Sequence, residues 1–205
     1  MRVIAESLES HSQSQFQSYN GILAHVTVPS GWLRLHGLRA LSNSGEALPS
    51  ELASLVRQRL APETLYFNRY GPAECAFSSS CYSILECPTS SSVPIGRTFM
   101  NYLSFLVNGD DSLTPIGQSG QLLIGGPGVY TGYLNRPDLT SQAVIVAPHL
   151  TDKPLYRTGD IGRYDQQMNI VYIGRADFQV KLNGQRLEVG EIESVICSFK
   201  DSAFS

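Results

Sequence analysis

The stretch Phe67-Asn68-Arg69-Tyr70-Gly71-Pro72-Ala73-Glu74 constrains this chain most. A short run, Thr64 to Tyr66, precedes it and reads as a strand, and a second extended segment, Ala76 to Leu85, follows. Gly-Pro between two such runs marks a sharp turn: proline fixes φ and lacks an amide donor, and glycine opens conformations closed to other residues. The turn gathers a ring (Tyr70), an amide (Asn68) and a carboxylate (Glu74) around one corner. A ring face can stack on a flat base, an amide can read the edge of that base, and a carboxylate can hold a magnesium ion beside phosphates. The same residues also suit a tight loop with one buried Tyr and one solvated Glu. Taken alone, the stretch does not choose between them.

Composition narrows the classes. At 205 residues the chain can bury a core and hold one or two domains. Charged residues are 16% and the net charge is -3, so no basic stripe points to nucleic acid and no charge block to a tail. No run of 18 apolar residues predicts a membrane span. The N-terminus lacks the apolar core and cleavage site of a secretory signal, which predicts a cytoplasmic setting. Cys75, Cys81, Cys87 and Cys197 form no Cys-x-x-Cys pair, and Cys75 and Cys81 read as small packing residues. His11, His25, His36 and His149 show no metal spacing.

Read in order, residues 1–23 form a polar leader in which Glu6 to Ser18, rich in Ser and Gln, reads as a frayed helix or as disordered. Ile22 to Val28 reads as a buried strand, and Ala40 to Asn43 as another. Gly45-Glu46-Ala47-Leu48-Pro49 is a turn into a helix whose inward face is Leu52, Leu55, Val56 and Leu60, stopped by Ala61-Pro62. Residues 76 to 170 read as mostly β, with short strands near Val93 to Arg97, Leu103 to Val107 and Gly120 to Ile124. Gly125-Gly126-Pro127-Gly128 is a structural turn, because no Lys-Ser/Thr and no helix follows it as a phosphate cradle requires. Pro137 to Ala143 is a short helix. Asp165 to Asn169 is a hairpin turn, and Asn183-Gly184 a two-residue hairpin signal.

Five stretches fall in one order: Ser44-Gly45-Glu46-Ala47-Leu48; Asn68-x-Tyr70-Gly71-Pro72-x-Glu74; Gly120-Gln121-Leu122 through Gly125-Gly126-Pro127-Gly128 to Gly132-Tyr133-Leu134; Tyr156-Arg157-Thr158-Gly159-Asp160; and Gly174-Arg175-Ala176-Asp177 through Lys181 to Gly190-Glu191-Ile192-Glu193. Together they resemble the motifs of the adenylate-forming (AMP-dependent synthetase/ligase) superfamily, from about Ala24 to Val195 and nearest the adenylation domains of nonribosomal peptide synthetases. One such motif is weak evidence, and five in order are strong.

The resemblance implies a mixed, β-rich α/β fold. Residues 24–176 would be the C-terminal part of the large adenylation domain, a sheet plus a distorted β-barrel subdomain. Residues 177–205 would be the hinge and the start of a small α+β domain. It implies ATP/AMP and Mg as ligands, a small carboxylic or amino acid as substrate, and phosphopantetheine or CoA as acceptor, with a carrier-protein domain as partner.

Roles carry over residue by residue. The resemblance assigns the backbone of Gly45, Glu46 and Ala47 to the adenine plane, Asn68, Tyr70 and Gly71 to the base, Glu74 to the metal, and Asp160 and Arg175 to ribose and phosphate. Asp177 would be the hinge, and Lys181 would approach the nucleotide in a second state. The acyl pocket would be lined by Thr27, Ser42, Ser44, Arg69, Phe77 and Ser78. Blander roles stay open: a strand-to-helix turn for Gly45, an aspartate bonding its own backbone for Asp160, an exposed strand lysine for Lys181, and an outward-turned Arg69.

The sequence contains neither the family's Gly/Ser/Thr-rich phosphate loop ending Pro-Lys-Gly nor its late catalytic lysine. The expectation is therefore a piece of an adenylating ligase, nearly inactive alone. Two rivals remain: a non-catalytic nucleotide-binding or scaffold module, and an unrelated β-rich interaction domain.

Overall fold

The computed structural model describes residues 2–7, 17–20, 38–86, 92–176, 179–182 and 185–188. The first sheet contains β1 (Arg2–Ser7), β2 (Gln17–Asn20), β3 (Leu38–Ser44), β4 (Leu65–Tyr70), β5 (Ser80–Ser83) and β6 (Arg97–Thr98) in the order β2-β1-β3-β4-β5-β6. Among the described residues only β3 and β4 pair in parallel, joined by helix α1 (Ser50–Arg57), as a crossover connection requires. The second sheet is antiparallel. It holds β7 (Leu103–Val107), β8 (Gly120–Gly125), β10 (Leu155–Tyr164) and β11 (Ile170–Arg175), with β9 (Val144–Ile145) beside β10 and helix α2 (Pro137–Ala143) before it. A separate hairpin joins β12 (Gln179–Leu182) to β13 (Gln185–Glu188). The architecture is mixed, strand-rich α/β.

Several elements follow from local rules. The two-residue gap between β12 and β13 suits the Asn183-Gly184 signal, although those two residues lie outside the described residues. Pro137 stands in the first turn of α2, where its missing amide costs nothing. α1 buries Ala53 and Val56, and Leu60 just beyond it, against Leu41 and Tyr66, while Leu55 is 38% exposed. Leu52 packs against the same cluster, so of the expected inward residues only Leu55 is off the face, lying one residue, about 100° of helix rotation, from Val56. Arg57 closes the helix by donating to the carbonyls of Ala61 at 2.6 Å and Thr64 at 2.8 Å.

Three expectations change. The leader contains β1 and β2, and β1 pairs along β3 from Arg2↔Ser44 to Ser7↔Leu38, so part of it is a strand of the main sheet. The extended segment after the Gly-Pro turn starts late: a 3-10 turn spans Ala73–Cys75, Ala76 and Phe77 take positive φ (53° and 76°), and β5 begins only at Ser80. The expected strand Ile22 to Val28 lies outside the described residues.

The sheets meet at residues 95–96. Ile95 and Gly96 donate to the Ile170 carbonyl, and the Ile170 amide donates to Gly96. Tyr70, Cys75 and Ile95 from the first side pack with Leu106, Leu122, Ile124, Tyr156 and Ile170 from the second. The Gly71-Pro72 turn therefore sits on the seam between the sheets.

Candidate functional site

The pleat of β4 sorts the candidate residues. Alternate side chains point to opposite faces, and Tyr66, Asn68 and Tyr70 are the buried set. The parallel register, Ser42↔Phe67 and Asn43↔Asn68, puts Ser42 and Ser44 on the same face as Arg69 and opposite to Asn68 and Tyr70. Three of the residues expected to line an acyl pocket thus share one side, and two of those expected to meet a nucleotide share the other.

Tyr70 reaches the second sheet. Its hydroxyl donates to Asp160 Oδ2, and Asp160 Oδ1 accepts from Arg175 at 3.1 Å. Asp160 and Arg175 face each other across β10 and β11. Arg175 also donates to the Thr158 carbonyl at 3.0 Å. A register shift between Arg157 and Ile161, with Gly159 at φ +73°, makes Thr158-Gly159-Asp160 a bulge in β10, a device that re-aims a side chain. Thr158 holds the bulge: its hydroxyl donates to the Leu122 carbonyl at 2.8 Å and accepts from the Asp160 amide at 3.0 Å. Asp160 is 2% exposed, and its carboxylate bonds Tyr70 and Arg175 rather than its own backbone. A carboxylate offers about four acceptor positions, so these two donors leave capacity for a pair of adjacent hydroxyls.

Other residues differ more from expectation. Tyr70 is 9% exposed, so its ring is largely enclosed by the protein. Burial, followed by the Asp160 charge, holds its phenol well above the usual range, so it stays a donor. Asn68 is 2% exposed and its amide donates to the carbonyls of Val93 at 3.3 Å and Pro94 at 2.9 Å. The Leu48 carbonyl accepts from the Val93 amide at 3.0 Å. Leu48, just after the Gly45-Glu46-Ala47 turn, and Asn68 therefore both meet residues 93–94. Gly45 has φ +98°, and a Cβ built there meets nothing within 4 Å, so its backbone faces open space.

Glu74 is 8% exposed and anchored from a distant loop. Tyr133 donates to Glu74 Oε1 at 2.8 Å, and the Tyr130 amide donates to the Glu74 carbonyl at 2.8 Å. Beside it, Cys75 is fully buried, its thiol pushed up to about 12 by burial and then by the Glu74 charge, as expected of an inert packing residue. Among the described residues no three His, Cys, Asp or Glu side chains gather as a metal cage. A lone carboxylate fits magnesium of the kind held by one or two carboxylates plus substrate phosphates.

Arg69 is half-buried, its Nε donating to Ser78 Oγ at 3.3 Å and its guanidinium 5.6 Å from the centre of the Phe99 ring. It is not turned outward. Phe77 is 42% exposed, while Ser42, Ser44 and Ser78 are buried. Lys181 lies on β12 opposite Arg186. Thr27 and Asp177 lie outside the described residues. Sequence reasoning gave no role to Tyr133 or Thr158, although both stand inside quoted motifs. The signal was present in the motif, but only contacts assign it.

A family model described as "AMP-binding enzyme" matches residues 2–134. The chain belongs to the AMP-binding enzyme family. The match begins at residue 2, so it takes in the segment read as a leader. Tyrocidine synthase 1 of Brevibacillus parabrevis is 37% identical over 198 residues, covering 91% of this chain and 18% of that protein. Among solved structures, NpsA-ThdA, an artificially fused adenylation-PCP di-domain of a nonribosomal peptide synthetase from Klebsiella oxytoca, superimposes with a TM-score of 0.71 at 34% identity. The adenylation domain AlmE of Vibrio cholerae, in complex with glycyl-adenosine-5'-phosphate, does so with 0.70 at 33%. Each covers 78% of this chain, and the chain spans 30% of each of them. The likeness is to adenylation domains of the nonribosomal-peptide-synthetase type, and an unrelated β-rich interaction domain is ruled out. Among the described residues no helix is long and apolar enough to cross a membrane.

Proposed function

We propose that this chain carries the adenosine-binding part of an acid-adenylating site. The observation that supports the reading is the convergence of Tyr70, Asp160 and Arg175 on the seam between the sheets, with Glu74 four residues beyond Tyr70. In the reaction, a carboxylate oxygen of a small carboxylic or amino acid attacks the α-phosphorus of ATP. The bond to pyrophosphate breaks, leaving an acyl-adenylate. A thiol, from phosphopantetheine on a carrier-protein domain or from CoA, then takes the acyl group and AMP departs. The fused di-domain relative and the glycyl-adenylate relative are consistent with such a partner and such an intermediate.

In this reading Asp160 accepts the two ribose hydroxyls, Arg175 holds the carboxylate in place and faces the phosphates, and the Gly45-Glu46-Ala47 backbone borders the base. Magnesium, held by Glu74 together with the phosphates, would neutralise charge that builds on the phosphoryl oxygens. The sequence contains no Pro-Lys-Gly phosphate loop. Donors that act only in the transition state are worth orders of magnitude in rate, so binding rather than turnover is the property to test.

The test is calorimetric titration of the 205-residue chain with AMP and with its 2′,3′-dideoxy analogue. AMP should bind about tenfold or more tightly, the effect of hydrogen bonds to a charged group. Asp160→Asn should narrow the gap. A folded chain that ignores AMP, or prefers neither ligand, would count against the reading.

Arg69 points to the substrate. Half-buried and on one sheet face with Ser42 and Ser44, it favours an acid with an acidic or polar side chain. Aspartate should bind the AMP-loaded chain more tightly than asparagine, and Arg69→Ala should level the two. Equal affinities in the unaltered chain would remove the idea.

A further inference from the structure

The loop after β8 is built around one hydroxyl. Gly132 has φ +150°, and a Cβ there would stand 2.7 Å from Thr140 Cγ2, so α2 packs on bare backbone at this point. The Thr140 hydroxyl accepts from the Tyr133 amide at 2.9 Å, and the Arg136 amide donates to the Tyr133 carbonyl at 3.2 Å. The Tyr133 backbone is therefore tied to the first turn of α2. Its ring meets the Tyr130 ring edge-on at 4.9 Å and 67°, and Tyr130 in turn meets Tyr156 at 5.5 Å and 88°. Backbone and ring together aim the Tyr133 hydroxyl at Glu74 Oε1, 59 residues away in sequence. The Tyr130 amide holds the carbonyl of the same glutamate. Glu74 is thus gripped at main chain and side chain by one loop.

We propose that Tyr133 is a positioning residue for the metal-binding carboxylate: by donating to Glu74 Oε1 it sets the orientation in which Glu74 meets magnesium on a bound nucleotide. The inference rests on the nucleotide reading above. A free glutamate side chain must lose rotamer freedom when it takes a ligand, and one already ordered does not. The hydroxyl also fixes the plane of the carboxylate while occupying one of its about four acceptor positions.

The test separates magnesium-dependent from magnesium-independent binding. The 205-residue chain is titrated with AMP, with ATP in EDTA, and with ATP plus magnesium chloride. Tyr133→Phe keeps the ring against Tyr130 and removes only the hydroxyl. It should lower the melting temperature modestly, the cost of one hydrogen bond to a carboxylate, and leave binding of AMP and metal-free ATP unchanged. The gain in ATP affinity on adding magnesium should shrink about tenfold, the scale of the rotamer freedom of one glutamate side chain. Glu74→Gln should abolish that gain, and adding Tyr133→Phe to it should change nothing more, as coupled positions require. Full magnesium enhancement in Tyr133→Phe, or additive losses in the double variant, would overturn the proposal. So would a Tyr133→Phe chain that weakens all three ligands alike, which marks a merely structural residue. An unaltered chain that binds AMP but shows no magnesium enhancement removes this inference alone, whereas one that binds no nucleotide removes the nucleotide reading and this inference with it.

Discussion

Asp160→Ala is expected to lower the unfolding free energy by about 3–5 kcal/mol, the cost of removing one partner from a buried charge pair. The Asp160 side chain is 3% exposed and that of Arg175 11%. Removing the carboxylate leaves the guanidinium with only the Thr158 carbonyl of the two acceptors described for its Nη1, and takes the acceptor from the buried Tyr70 hydroxyl. Asp160→Asn keeps the volume and one acceptor oxygen, so its loss should be smaller. Urea denaturation of the two variants beside the unaltered chain checks both points. A shift in midpoint no larger than that of an exposed pair, such as Arg136 with Asp138 at above half exposure each, would mean that the seam does not depend on this cluster.

Gly71→Ala is the second large effect. A Cβ at Gly71 would lie 2.5 Å from Ser78 Cα, 2.7 Å from its amide nitrogen and 2.8 Å from the Phe77 carbonyl oxygen. All three are backbone atoms, so no side chain can turn aside. Overpacking of this kind costs about 1–3 kcal/mol or more. The strain falls between Tyr70 and Glu74, so AMP binding should weaken together with stability. Gly174→Ala is the control. Its Cβ meets nothing within 4 Å in β11, and replacing glycine in a strand by alanine should be neutral or stabilising by about 0.4–1 kcal/mol. Thermal melts followed by circular dichroism rank the two, and a Gly71→Ala chain that melts with the Gly174→Ala chain would show that the turn opens without cost.

Much of the fold was legible because its cues are local. β4 continues the expected strand, α2 matches Pro137 to Ala143, and the hairpins around 165–169 and 183–184 follow from their turn residues. The misses have physical causes. The Val3-Ile4 pair in Arg2–Ser7 is too short a signal to mark a strand locally, and the segment becomes one by pairing with β3. Ala76 and Phe77 adopt positive φ, which propensity assigns to glycine, because the chain doubles back there: the Ser78 amide bonds the Ala76 carbonyl and the Ser79 amide bonds the Tyr70 carbonyl. On α1 the expected Leu52, Val56 and Leu60 pack inward together with Ala53, and only Leu55 turns out, because it lies about 100° of helix rotation from Val56.

The sequence by itself determined which chemical groups this protein has and where the turns, short helices and hairpins fall, because these depend on neighbours within a few residues. The family, too, was readable from five ordered stretches. Only the tertiary structure decided which groups meet. Tyr70 finds Asp160 across 90 residues, and Tyr133 finds Glu74 across 59. The face on which Arg69 lies follows from the register of β3 against β4. Such pairings are set by strand register, by a bulge that re-aims one side chain, and by the seam between two sheets, and a one-residue slip in any strand would send every side chain to the other face.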